Sequence, residues 1–229
     1  MAVFPLDSMA IQTIRFGDEG RAATRELIRR FASIAKERSL DASARERLHA
    51  RLSTLQSLDG QYGGSGALAL EGTDELVASL VTELASLEDD DLVIGVALWA
   101  IRHQVAITIV EPVVNALANR SNRATGKSEI AAVFGLMQGV AAHVGATLSA
   151  DLERSNPERP WRVMHVNLAI TAIRTEDAAM IDFAFDALDA ALPDERAGFY
   201  SEALALALAP GIAPAVRERI EARHLKWAR

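Results

Sequence analysis

The sequence contains no cysteine, few aromatic residues and almost no lysine. Without a thiol, the chain cannot form disulfides, zinc–thiolate sites, iron–sulfur clusters or a cysteine nucleophile. Aromatic residues make up 5% of the 229 residues, whereas hydrophobic residues make up 50%. That content suffices for one large core, or for a core with a smaller appended unit. The 3 lysines stand against 21 arginines, a bias that indicates a GC-rich bacterial coding sequence.

The charge of the chain argues against a nucleic-acid partner. The formal net charge is −7, and residues 61–91 carry eight acidic residues and no basic one. Binding to phosphates needs a surplus of lysine and arginine on one face. The arginines near the amino terminus are interspersed with glutamates, which favours a salt-bridged surface. We therefore expect no binding to DNA or RNA.

The sequence predicts neither a targeting signal nor a membrane span. Residues 1–14 lack a basic start followed by an apolar core. The run Leu92–Val110 approaches the length of a membrane span. However, Arg102, His103 and Gln104 lie at its midpoint, where a charged residue costs about 2.5–3.5 kcal/mol. We expect a cytoplasmic protein without a membrane segment.

The composition and periodicity predict an all-α fold, a multi-helix bundle of about nine helices with short loops and no sheet. Alanine and leucine are abundant and favour helices, because they lose little side-chain entropy on helix formation. Apolar residues recur at helical spacing between start and stop signals. The predicted helices span residues 18–38, 42–58, 73–87, 92–119, 127–153, 161–173, 175–192, 193–208 and 214–229.

A glycine-rich segment divides the predicted helices into two groups. Four glycines occur within residues 60–66, and each makes an ordered element entropically costly. We expect a flexible joint here. It would separate an N-terminal helical hairpin with its joint, residues 1–66, from a main helical body, residues 67–229.

The predicted helix Leu92–Asn119 carries an apolar surface with one polar stripe. At helical spacing, its polar residues fall on one face; they are Gln104, Thr108, Glu111, Asn115 and Asn119. Pro112 interrupts the hydrogen bonding and predicts a kink in this central helix. The stripe either meets solvent or lines a pocket.

If the stripe lines a pocket, the kink is a candidate binding site for a small molecule. An unpaired carbonyl beside Pro112 and the carboxylate of Glu111 could then orient a ligand. The candidate ligand-binding residues are Gln104, Thr108, Glu111, Asn115 and His143.

The remaining polar motifs favour structural interpretations. His103, His143 and His165 lie in apolar segments, where a lone histidine is usually a core or boundary residue. The Glu-x-x-His spacing of di-iron bundles occurs once, at Glu221, on a charged terminal helix. A third set shares one helix face and is expected to be an exposed acidic face; it comprises Asp182, Asp186 and Asp189. We predict no metal, no cofactor and no catalytic residue.

Two functional hypotheses follow. The first is a non-catalytic helical protein–protein interaction or regulatory protein of the bacterial cytoplasm, whose partner is another protein or a second copy of itself in a homodimer. It rests on the small inventory of catalytic groups and on helical surfaces suited to partner helices. The alternative is a helical small-molecule-binding protein or enzyme with a pocket at the kinked central helix around Glu111.

Overall fold

The computed structural model describes residues 17–149, 159–208 and 211–227, and these residues form ten α-helices and no strand. The all-α prediction is therefore confirmed. The helices are α1 (Gly17–Glu37), α2 (Ala42–Tyr62), α3 (Thr73–Ala85), α4 (Asp90–Arg102), α5 (Glu111–Arg123), α6 (Lys127–Ser149), α7 (Pro160–Thr175), α8 (Ala178–Ala191), α9 (Arg196–Ala207) and α10 (Pro214–Trp227).

Aspartates begin three of these helices by capping exposed backbone N–H groups. The side chains of Asp41, Asp89 and Asp177 each accept a hydrogen bond from an N–H two or three residues further on, at 2.9–3.0 Å. Such a cap satisfies a donor that has no partner within the helix. The starts of α2, α4 and α8 are therefore encoded locally.

The predicted single helix Leu92–Asn119 is wrong, because the chain leaves the helix after Arg102 and re-enters one at Glu111. Gln104 ends α4 in the left-handed region with φ 55°. Its N–H bonds to the Ile101 carbonyl at 3.1 Å, and the next N–H bonds to the Ala100 carbonyl at 2.9 Å. These two bonds form a Schellman motif, which closes a helix.

The segment between the two helices is rich in β-branched residues. Five of the six residues at 105–110 are Val, Ile or Thr, which lose rotamer freedom in a helix and favour extended backbone. Pro112 then lies in the first turn of α5, where proline disturbs no helical hydrogen bond. The predicted kink at Pro112 is therefore a helix start.

Contacts between residues divide the chain into two units. Unit 1 consists of residues 1–120 and 135–147, and unit 2 consists of residues 121–134 and 148–229. This division differs from the boundary predicted after residue 66, because α1 and α2 pack against α3 and α4 within unit 1. The division into residues 1–66 and residues 67–229 stays a prediction.

Each unit has its own apolar core. In unit 1, α1 packs on α2 and α4, and α3 packs on the same two helices. Fully buried side chains in this core include Phe31, Leu52, Leu80, Val96 and Leu117. In unit 2, α7 packs on α8, α9 packs on α10, and α8 also meets α10. Its fully buried side chains include Ala169, Ala172, Phe185, Leu188 and Tyr200.

The glycine-rich loop of unit 1 is hydrogen-bonded to the end of α4. Helix α2 continues to Tyr62, past the first glycine of the predicted joint. The N–H of Gly66 bonds to the Arg102 carbonyl at 3.0 Å. A Cβ atom at Gly20 would lie 2.0 Å from the carbonyl oxygen of Gly64, so glycine permits α1 to touch the loop backbone. The expected flexible joint is thus attached to two helices.

None of the helices in the described ranges combines the length and the apolar character needed to cross a membrane.

Candidate functional site

The candidate binding residues of the sequence do not lie on one helical face. Gln104 ends α4, Thr108 lies in the segment between α4 and α5, and Glu111 and Asn115 lie on α5; all four are exposed. His143 is half-buried on α6, and its Nε2 lies 2.8 Å from the Val105 carbonyl oxygen. The prediction of a pocket at a helix kink is therefore wrong, because the kinked helix does not form. Ligand binding by these residues stays a prediction.

Unit 1 contains a buried polar cluster around Asp59, formed by Thr24, Asp59, Trp99, Arg102 and His103. The Asp59 carboxylate is fully buried. It accepts hydrogen bonds from Trp99 Nε1 at 2.9 Å, His103 Nε2 at 2.7 Å and Thr24 Oγ1 at 2.5 Å. These donors come from α1 and from the end of α4, while Asp59 comes from α2. One carboxylate therefore joins three parts of the unit.

Arg102 supplies a positive charge next to this carboxylate. Its Nη2 lies 3.6 Å from the Asp59 carboxylate and donates to Thr24 Oγ1 at 2.9 Å. Its Nη1 donates to the Gly20 carbonyl at 2.9 Å. Burial lowers the pKa of Arg102, and the neighbouring Asp59 opposes that shift. Asp59 therefore partly compensates the cost of burying this guanidinium.

Both ring nitrogens of His103 face acceptor oxygens. Nε2 meets the Asp59 carboxylate, and Nδ1 lies 3.0 Å from the Gly66 carbonyl oxygen. The ring is therefore held between α2 and the glycine-rich loop that follows it. The five side chains of the cluster are at most 6% exposed, so a substrate has no access to them in this structure. The Asp59 cluster therefore holds helices together.

Unit 2 contains a second buried carboxylate, Asp189. It accepts hydrogen bonds from Tyr200 Oη at 2.9 Å, Trp227 Nε1 at 3.0 Å and Arg223 Nη1 at 2.6 Å. Burial raises the pKa of Tyr200, and Asp189 raises it further. The expected exposed acidic face is thus wrong for Asp189, which is 7% exposed.

Within the described residues, no group of three or more potential ligands is arranged to hold a metal ion.

Unit 2 also contains an open cavity of about 380 Å³. Among the described residues, seventeen line it, mostly with apolar side chains from α7, α8 and α9. They are Arg162, Val166, Ile170, Ile173, Arg174, Leu188, Leu192, Asp194, Glu195, Gly198, Phe199, Glu202, Ala203, Leu206, Ala207, Ile212 and Ile220.

The sequence of α9 explains why space remains beside it. Gly198, Ala203 and Ala207 all line the cavity, and their small side chains leave room that larger residues would fill. A Cβ atom at Gly198 would have no atom within 4 Å apart from its chain neighbours and the backbone of its own helix. The cavity could not be recognised from sequence, because the alternating alanines and leucines of this segment indicate only a helix.

Charged side chains surround the apolar wall. Glu195 accepts hydrogen bonds from Arg159, at 2.8 Å, and from Arg162. Asp194 and Glu202 also line the cavity and are exposed to solvent. These acidic residues, Arg162 and Arg174 are polar groups in a mostly apolar wall. Such a combination is usual for small-molecule sites.

The sequence matches no protein-family model, and the chain has no significant similarity to curated proteins or to solved structures. Its fold and cavity define an all-α protein with an apolar site inside unit 2.

Proposed function

We propose that this chain is a non-catalytic binding protein that takes up a small, largely apolar molecule in the cavity of unit 2. The observation that carries the proposal is the cavity itself: its volume of about 380 Å³ lies within the range of small-molecule sites. At about 30 Å³ for a water-sized group, it accommodates about a dozen such groups.

The side chains that line the cavity favour binding over catalysis. No histidine, lysine, serine, threonine or tyrosine is among the described lining residues, so this part of the wall offers no hydroxyl, amine or imidazole nucleophile. Glu195 is held between Arg159 and Arg162, so both of its carboxylate oxygens already accept hydrogen bonds. The proposal keeps the alternative hypothesis of a small-molecule-binding protein, but it assigns the binding site to the cavity of unit 2 and not to the surroundings of Glu111.

A cavity-filling variant tests the proposal. Gly198→Leu places a side chain in the open space beside α9, so it should weaken the binding of 1-decanol, an uncharged chain of matching volume, by at least about tenfold. Isothermal titration calorimetry on the full-length chain measures the dissociation constants.

Gly139→Leu is the matched control, because Gly139 also lies in a helix with open space at its Cβ position, but in unit 1. This variant should bind 1-decanol as the wild type does. Undetectable binding to the wild type, or equal weakening in both variants, would refute the proposed function.

Exposed leucines favour the interaction hypothesis as a second candidate. Leu206, Leu208 and Leu225 are 74%, 66% and 67% exposed, so a partner surface that covers them would bury apolar area. The partner would be a second copy of the chain, as in the predicted homodimer. Native mass spectrometry should then show a dimer that Leu208→Ser and Leu225→Ser together convert to monomer; a monomeric wild type would contradict this candidate.

A further inference from the structure

We propose that the ligand of the unit 2 cavity is an amphiphile with an apolar chain and a carboxylate, and that the carboxylate binds Arg174. This inference rests on the proposed function, because it specifies the chemistry of the molecule that fills the same cavity. Arg174 belongs to the cavity wall and lies in the last turn of α7.

The guanidinium of Arg174 is held in place by backbone oxygens. Nη1 donates to the Ser121 carbonyl at 2.6 Å, and Nη2 donates to the Ala124 carbonyl at 2.6 Å. A third contact joins Nη1 to Ser121 Oγ at 3.2 Å. These acceptors lie at the end of α5, where carbonyl groups have no partner within the helix. The position of the charge is therefore fixed before a ligand arrives.

Arg174 has no carboxylate partner among the described residues. Its three acceptors are uncharged, although a guanidinium carries five N–H donors. By contrast, the other arginine of the wall, Arg162, is paired with Glu195. The half-buried charge of Arg174 is thus available to a ligand anion.

The acidic residues of the wall do not cancel this charge. Glu195 is compensated by Arg159 and Arg162. Asp194 and Glu202 are exposed, so water screens their repulsion of a ligand carboxylate. Water screens a half-buried guanidinium less, and a hydrogen bond between two charged groups is stronger than one to a neutral group. The site therefore favours a carboxylate over a neutral head group.

A pair of ligands with the same chain length separates this inference from the proposed function. Decanoate and 1-decanol differ in the head group, and each has about the volume of the cavity. At pH 7.5 the wild-type chain should bind decanoate at least about tenfold more tightly than 1-decanol. Titration calorimetry of the full-length protein gives both dissociation constants.

Arg174→Gln should reduce the affinity for decanoate to that for 1-decanol and leave 1-decanol binding unchanged. Arg196→Gln is the matched control, because Arg196 is likewise half-buried in unit 2 and donates to a backbone carbonyl, that of Asp189, but does not line the cavity; this variant should still bind decanoate more tightly than 1-decanol. Since Arg174 also binds the end of α5, Arg174→Lys provides a second variant, which retains the charge and should retain part of the preference.

The wild-type titrations decide the question even if the variants at Arg174 do not fold. Equal affinities for decanoate and 1-decanol would overturn the carboxylate inference while leaving the apolar site intact. If the folded Arg174→Gln variant still binds decanoate more tightly than 1-decanol by the wild-type factor, the carboxylate inference is also overturned. If neither compound binds, the proposed function fails as well.

Discussion

At the scale of single residues, Asp59 should have a large effect on the stability of unit 1. Replacing it with alanine leaves the donors of Trp99, His103 and Thr24 without their acceptor. It also leaves the buried Arg102 guanidinium without its counter-charge. Loss of one partner of a buried ion pair costs about 3–5 kcal/mol, so we expect Asp59→Ala to lower the free energy of unfolding by that amount in urea denaturation.

Asp18→Ala serves as the control for this measurement. Asp18 lies in the first turn of α1, its side chain is 95% exposed, and its ion pair with Arg21 lies at the surface. The urea midpoint of the Asp18→Ala variant should stay close to that of the wild type. Similar midpoints for both variants would show that the Asp59 cluster does not stabilise the fold.

His165 should make unit 2 sensitive to acid. Burial lowers the pKa of this histidine from 6.5 to about 4, and neither ring nitrogen has a hydrogen-bond partner among the described residues. The unfolded chain therefore binds a proton at a higher pH than the folded chain does. Above pH 6.5 this histidine does not reduce the free energy of unfolding. As the pH drops from 6.5 to 4, the free energy of unfolding falls by about 3 kcal/mol.

His165→Phe keeps a ring beside Trp161, whose centroid lies 4.3 Å from that of the imidazole. The variant should lose less stability than the wild type between pH 6.5 and 4 in urea unfolding. Parallel pH profiles for the two proteins would exclude a buried neutral histidine.

The Asp59 cluster could not be predicted from the sequence, and the reason is physical. Asp59 immediately precedes a glycine-rich segment, so its local context indicates a turn. Its partners lie 35–44 residues away along the chain, and only the packing of three helices brings them together. One signal was present: Arg102 and His103 interrupt an apolar run, and polar groups in such a run require partners when buried.

At the scale of helices, the break after α4 can be tested at Gln104. Its left-handed backbone, φ 55°, costs a non-glycine residue about 1–2 kcal/mol, whereas glycine loses about 0.5–1 kcal/mol through chain entropy. Gln104→Gly should therefore raise the free energy of unfolding by about 0.5–1 kcal/mol, as measured by urea denaturation.

Gln138→Gly makes the same replacement inside α6 and should lower stability by about 0.5–1 kcal/mol. The opposite signs distinguish a helix end from a helix interior. A loss of stability in both variants would support the continuous helix over residues 92–119.

Helix starts were predictable because they depend on neighbours in sequence. Asp89 and Asp177 cap helices through their own side chains, and the corresponding starts follow from the capping rule. The break at residues 103–110 was missed because its apolar residues fit a buried helix by hydropathy. Its β-branched composition, with Pro112 following, favoured an extended segment and a new helix start.

At the scale of the whole molecule, the all-α class was predictable but the cavity was not. Composition and the spacing of apolar residues predict that the chain is helical. Which helices meet, and where their small residues leave space, depends on tertiary packing, so Gly198 and Arg174 carried no recognisable signal in the sequence. The candidate site around Glu111 was inferred from a helix that does not form.

The central claim is that the cavity of unit 2 binds an apolar chain. Intermolecular NOEs between decanoate and methyl-labelled full-length protein test it most directly, since they identify the groups that touch the ligand. We expect NOEs from the ligand chain to Val166, Ile170 and Leu188, which line the cavity. NOEs confined to unit 1 methyl groups such as those of Ile107, or no NOEs at a saturating ligand concentration, would contradict the claim.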